Sequence, residues 1–192
     1  MTAMTAQEQS LGELAALLDE LRVPYMVIGG MANAVWGEPR ATLDIDVTVW
    51  VPEPQIGEVI DALAARLEVL VDEPRRFVAD TRVLPLRGPR GVRVDLVFGL
   101  LSFEAEAIRR ARAVEVGGTS VRFCTAEDLV LHKIISSRPR DLDDARGVVV
   151  RQAGVLDLGY LEPRVAELAA SLDQPEIAAR WQAWKRAAGL AS

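Results

Sequence analysis

The 192-residue chain holds one cysteine, one histidine and two lysines. Each scarcity excludes something. A lone Cys124 cannot close an internal disulfide, so a reducing compartment is expected. His132 has no second histidine and no cysteine cluster beside it, so an imidazole or thiolate metal centre is excluded and the ring reads as structural. No apolar run reaches the length of a bilayer span. The N-terminal stretch carries Glu8, Glu13, Asp19 and Glu20 and lacks the basic start of a secretion signal. A cytoplasmic protein without a membrane partner is therefore expected. Positive charge is in short supply too: the net charge is −6, which argues against gripping nucleic acid through an overall field. Because 20 of the 22 cationic residues are Arg, a local basic patch stays open. No repeat or low-complexity tract interrupts a chain that is 50% apolar, enough for one real core.

The periodicities order the chain as mixed α and β followed by helices. Leu11, Leu14, Leu18 and Leu21 place an amphipathic helix over 9–22. The apolar "VPYMVIGG" reads as a strand stopped by glycines, "MANAVWG" as a short helix closed by Gly37, and 43–51 as a strand ended by Pro52 and Pro54. A helix returns over "IGEVIDALAARL". Residues 76–86 and 91–98 read as strands of a hairpin turned at "RGPRG". A helix near 102–112, a strand pair folded at Gly117–Gly118, and helices over 126–137, 140–152, 161–172 and 175–188 complete the order. The fold class is α/β (α+β). An α/β core over 1–124 and a helical region over 125–192, packed as one compact unit, are expected.

Chemistry enters at "LDIDVTVWV". Strand side chains alternate, so Leu43, Ile45, Val47 and Val49 share one face while Asp44, Asp46, Thr48 and Trp50 share the other. The two aspartates are about 7 Å apart at Cα by strand rise. In "GVRVDLVFG" the same alternation puts Val92, Val94, Leu96 and Phe98 on one face and Arg93, Asp95 and Val97 on the other. If the strands are neighbours, Asp95 joins Asp44 and Asp46. Three close carboxylates repel one another, and a divalent cation relieves them; oxygen-only ligands favour Mg²⁺ or Mn²⁺. A solvated strand face is the plain alternative for an Asp-x-Asp. Upstream, Gly29–Gly30 stands where an apolar strand turns into a helix, a place where backbone can approach phosphate.

The combination of apolar strand, Gly-Gly, thirteen residues, Asp-x-Asp and a later Asp resembles the nucleotidyltransferase superfamily that includes DNA polymerase β. Within it, "GGMANAVWGEPRATLDIDV" resembles the bacterial branch of AbiE-type toxins, through Arg40, Thr42, Asp44, Ile45 and Asp46. A second stretch, "TAEDLVLHKIISSRPRDLDDA", resembles that branch's later motif through Lys133, Arg138, Asp141 and Asp144. It departs in having Arg140 where Lys commonly precedes the Asp. The resemblance implies a nucleotidyltransferase fold, a mixed sheet flanked by helices with a helical C-terminal extension. It implies that Asp44, Asp46 and Asp95 bind Mg²⁺ or Mn²⁺ and act in catalysis with Lys133. Gly29, Gly30, Arg40, Thr42, Lys133, Asp141 and Asp144 would serve an NTP co-substrate. The implied reaction moves an NMP from the NTP onto an acceptor hydroxyl. The acceptor would be an RNA end such as tRNA, or a protein, with an antitoxin partner for a toxin. A small-molecule, antibiotic-type acceptor and a catalytically silent scaffold are the rivals.

The second motif also has a physical reading. Thr125 and Asp128 start a helix by capping, Leu131, Ile134 and Ile135 form its buried stripe, and Lys133 falls off that stripe. A lysine there can put a point charge on a triphosphate or pair with a nearby carboxylate. Asp141 and Asp144 share a helix face and can equally be helix-start charges. Cys124 reads as a small core residue, and Trp181 with Trp184 as packing rather than a base-stacking platform. Arg75, Arg76, Arg82, Arg87, Arg90 and Arg93 crowd the hairpin, either as a solvated face or as the track of a polynucleotide.

Overall fold

The computed structural model of the chain describes residues 4–190. Its elements are α1 (Ala6–Glu20), β1 (Tyr25–Val27), α2 (Gly29–Trp36), β2 (Ile45–Val49), α3 (Ile56–Ala64), β3 (Glu68–Val69), α4 (Pro74–Thr81), β4 (Val83–Arg87), β5 (Arg93–Phe98), α5 (Glu104–Arg110), β6 (Arg112–Val116), β7 (Thr119–Phe123), α6 (Ala126–Ile134), α7 (Pro139–Arg151), α8 (Leu158–Ser171) and α9 (Pro175–Ala187). They sort into two compact units. One takes the chain up to Met31 together with Ala41–Cys124; the other takes Ala32–Arg40 and the chain from Thr125 onward.

The first unit is built on a seven-stranded sheet in the order β3-β4-β5-β2-β1-β7-β6. β2 runs parallel to β5 and β1 to β7, while the other pairs are antiparallel, so the sheet is mixed. Alternation governs it. Ile45, Val47 and Val49 of β2 and Val94, Leu96 and Phe98 of β5 are all buried, and they pair in register from Ile45–Val94 to Val49–Phe98. α1 starts at a Thr5–Glu8 capping box and buries Leu11, Leu14 and Leu18. Gly117 and Gly118 both take positive φ, +58° and +84°, the backbone that a two-residue hairpin between β6 and β7 needs.

Two sequence expectations are corrected here. Residues 76–86 are not one strand, because 74–81 form α4. Pro74 sits at its first turn, and Val78 alone of the Phe77–Val78 pair is buried. Second, Leu43 does not join the core. β2 begins at Ile45, leaving Leu43 79% exposed and Asp44 in the bend before the strand. Trp50 likewise lies past the strand end. β3, two residues long, carries no sequence signal of its own and is not among the expected elements.

The second unit is helical, with α6–α9 close to where periodicity puts them. α6 starts at Thr125, whose hydroxyl accepts from the Asp128 amide at 3.2 Å. Leu129, Val130, Leu131 and Ile134 are buried from it. Trp181 and Trp184 are 2% and 7% exposed, which fits packing and leaves no face for stacking a base.

Candidate nucleotide-transfer site

The glycine turn is fixed by its neighbours. After β1 the Ile28 amide donates to the Asp46 carbonyl at 2.9 Å, which holds the turn against β2. Gly29 then takes φ +64°, a left-handed conformation that side chains disfavour. A Cβ on Gly29 would stand 1.9 Å from Asp46 Oδ2, and one on Gly30 would stand 2.7 Å from Thr42 Oγ1. Both glycines are therefore demanded by close approach. The Asp46 carboxylate lies directly against the first turn of α2, where the helix dipole favours negative charge. The Thr42 hydroxyl also donates to the Asp44 carbonyl at 3.3 Å, bracing the bend that leads into β2.

β2 and β5 bring the acids together. Asp46 and Asp95 are direct partners in the parallel register, so they leave the sheet on the same face of adjacent strands. Asp44, in the bend before β2, is near enough for its charge to act on Arg93. Arg93 shares the face two residues before Asp95 and donates to it, Nη2 to Oδ1 at 2.9 Å and Nε to Oδ1 at 3.1 Å. The guanidinium is held above its ordinary pKa, first by the hydrogen bond to Asp95 and then by that carboxylate's charge. Asp44 and Asp46 add to the same effect, so all three carboxylates act on one cation. Among the described residues no group of three His, Cys, Asp or Glu is arranged to hold a metal ion, and Asp95 is engaged by Arg93. The donor set still suits a hard divalent ion: carboxylate oxygens only, two of them opposite each other in register and packed on a glycine turn.

The second unit carries its own charged network. Lys133, read as off the buried stripe, is itself buried. Its Nζ donates to Asp141 Oδ1 and to Asp144 Oδ2, both at 2.8 Å. Arg40 grips Asp144 with two prongs, Nη2 to Oδ2 at 2.8 Å and Nε to Oδ1 at 3.1 Å. Ser136 Oγ and Arg138 complete Asp141, at 2.9 and 2.8 Å. Burial pushes both carboxyls up. For Asp141 the hydrogen bond and charge of Lys133, with Ser136 and Arg138, outweigh it; for Asp144 Arg40 and Lys133 do. Both therefore sit below the ordinary aspartate range. The structure thus brings Arg40, Lys133, Asp141 and Asp144 into one network, with the ammonium already held by two carboxylates. Asn33, whose amide Nδ2 donates to the Glu38 carbonyl at 2.9 Å and reaches Asp144 at 3.4 Å, has no signal in the sequence.

The hairpin arginines are neutralised one by one. Arg75 pairs with Asp61, Arg76 with Glu73, Arg82 with Glu53, Arg87 with Glu68, Arg90 with Glu13 and Arg93 with Asp95. That leaves little free charge for a polynucleotide track. Cys124 is buried, as a small core residue should be. Arg93 as the counter-ion of the acidic face was legible in principle: it sits at i−2 from Asp95 on a clean alternation.

No curated protein matches the sequence. The model of a family described as nucleotidyltransferase of unknown function (DUF6036) matches residues 4–188. Among solved structures, the antibiotic-resistance factor ANT(2'')-Ia is similar at 17% identity and TM-score 0.57, over 91% of this chain and 98% of that one. An antigenic nucleotidyltransferase-like protein from Paracoccidioides brasiliensis aligns at 17% identity and TM-score 0.50, over 94% and 95%. The lincosamide antibiotic adenylyltransferase LnuA, lincomycin-bound, aligns at 15% identity and TM-score 0.51, over 77% and 98%. At these identities the likeness is one of fold.

Proposed function

Because the chain belongs to this family of nucleotidyltransferases, whose model spans residues 4–188, we propose that it moves a nucleoside monophosphate from an NTP to an acceptor hydroxyl, with attack on the α-phosphate and pyrophosphate leaving, using Asp44, Asp46 and Asp95. One observation carries the assignment of residues: Asp46 and Asp95 face each other in register, and Asp46 packs on the Gly29 turn. Mg²⁺ or Mn²⁺ held by these carboxylates would lower the pKa of the acceptor hydroxyl and offset charge on the phosphates. Asp95 takes the hydroxyl proton on a carboxylate oxygen. The Gly29–Gly30 backbone, with no Cβ in the way, lets phosphate oxygens reach the first amides of α2. Thr42 fixes the bend that presents Asp44. Arg40, Lys133, Asp141 and Asp144, which the resemblance ties to the nucleotide, form a charge network within the second unit. The rate gain comes from positioning and charge compensation rather than covalent chemistry.

The pairing of all six hairpin arginines favours a small hydroxylated acceptor over an RNA end. The motif residues Arg40, Thr42, Asp44, Ile45 and Asp46 support a place beside the AbiE-type toxins. A toxin role requires a protein antitoxin that relieves growth arrest on co-expression. The direct test is α-³²P-labelled NTP with Mg²⁺ and three acceptor pools: tRNA, protein extract, and small hydroxylated compounds. Label moves to one pool, and Asp46→Asn lowers the rate by at least about 100-fold. Equal labelling by the variant would refute the assignment.

A further inference from the structure

At the opposite end of β1 from the glycine turn, the first unit holds two adjoining cavities that the transfer chemistry does not use. The smaller, about 270 Å³, is lined by Asp19, Arg22, Val23, Pro24, Tyr25, Ile108, Arg109 and Arg122. The larger, about 520 Å³, shares the Arg22–Pro24 wall and runs on to Trp50, Gln55 and Glu58. Three arginines against one aspartate leave the smaller cavity with a surplus of two positive charges, in a chain whose net charge is −6. Unlike the hairpin arginines, none of the three has a carboxylate at ion-pair distance among the described residues. Arg122 is only tethered, Nη2 to the Ile108 carbonyl at 3.2 Å. In the same cavity the Tyr25 hydroxyl is buried without a hydrogen-bond partner of good geometry among the described residues, and the residue is 1% exposed. Burial raises its pKa, partly offset by the Arg122 backbone beside the hydroxyl. The three arginines are exposed, and a cation-rich pocket beside a buried hydroxyl suits an oxyanion.

Arg22 supplies an independent sign. It occupies the left-handed position of a Schellman turn closing α1, with φ +55°, its amide bonded to the Asp19 carbonyl and the Val23 amide to the Leu18 carbonyl. Glycine is the natural residue there. Keeping an arginine places a guanidinium in the wall between the two cavities at the expense of backbone strain. Beyond that wall Trp50 lines the larger cavity with its ring against Gly99, where a Cβ would stand 2.9 Å from the indole.

We propose that the two cavities form one binding site for a phosphate monoester, with the phosphate among Arg22, Arg109 and Arg122 and the organic body beside Trp50. The combined space is of the size that small ligands occupy. The site needs no divalent ion, because the arginines and the Tyr25 hydroxyl supply the donors, and it stands apart from the Asp44–Asp46–Asp95 face.

Equilibrium titration in EDTA isolates it, with inorganic phosphate, AMP and adenosine as probes. AMP binds, inorganic phosphate displaces it, and adenosine binds at least about tenfold more weakly than AMP. Arg109→Ala with Arg122→Ala weakens both phosphate probes about tenfold or more. Trp50→Ala weakens AMP and leaves inorganic phosphate unchanged. Arg22→Gly weakens AMP while raising the melting temperature, since it relieves the left-handed strain, so loss of binding cannot be laid to misfolding. Arg75→Ala, whose guanidinium is already paired, changes nothing. Asp46→Asn binds AMP as the parent does. Absence of AMP and phosphate binding in EDTA, unchanged affinity in the Arg109/Arg122 double variant, or loss of AMP binding in Asp46→Asn overturns the proposal. None of these outcomes bears on nucleotide transfer.

Discussion

At the scale of single residues, the site is set by atoms too close to allow substitution. Gly29→Ala puts a methyl onto Asp46 Oδ2 and forces a side chain into φ +64°. It should cost about 2 kcal/mol or more in urea unfolding and weaken Mn²⁺ binding, because the carboxylate must move. Gly30→Ala meets Thr42 Oγ1 at 2.7 Å and Cβ at 2.8 Å, and turning the side chain moves only the first, so Thr42 must shift as a whole, without the left-handed strain added at Gly29. Arg93 sets the occupancy of Asp95. A divalent ion and a guanidinium compete for the same oxygens, so Arg93→Gln should tighten Mn²⁺ binding by about fivefold or more, read by calorimetric titration. Unchanged or weaker binding would mean that Arg93 only decorates the strand. The aspartates and glycines were legible because their residue types are awkward where they stand: acids in an apolar strand, and paired glycines at a turn. Which partner Asp95 takes was a matter of side-chain choice that spacing alone leaves open.

At the scale of elements, α6 and α7 are tied by buried charge rather than by apolar contact alone. Lys133, 6% exposed at its side chain, holds Asp141 and Asp144 from the facing helix. Replacing it with Met leaves two largely buried carboxylates short of a cation, at a cost of about 3 kcal/mol by urea midpoint. The same network sets an acid limit. Both carboxyls lie below 3.8 in the folded protein, so the unfolded chain takes up protons first as pH falls. Their stabilisation is complete above that value, erodes below it, and is gone once pH drops past the folded values. Urea midpoints should therefore hold steady on this account from pH 7 to about 5 and fall below about 4, with a shallower fall in Lys133→Met. Most elements could be read from period and punctuation: the leucine stripe of α1, the Gly117–Gly118 hairpin and the C-terminal helices. α4 could not. Only Val78 is buried from it, so no helical stripe exists to read, and the adjacent Phe77–Val78 mimics a strand. Leu43 failed for a related reason: alternation assigns a face but cannot say where a strand begins.

For the molecule as a whole, charge decides which partners are plausible. A chain of net charge −6 whose hairpin arginines are each paired should bind RNA weakly and without a steep salt dependence. Arg87→Ala and Arg90→Ala should leave tRNA retention on filters within about twofold of the parent. A large loss would restore the polynucleotide track. The central claim concerns the face shared by β2 and β5. It is tested most directly by Mn²⁺ titration followed by electron paramagnetic resonance, with and without ATP, on the parent chain and Asp46→Asn. Saturable Mn²⁺ uptake that ATP strengthens and that Asp46→Asn abolishes is the predicted result; equal uptake by both chains, or none with ATP present, would contradict it.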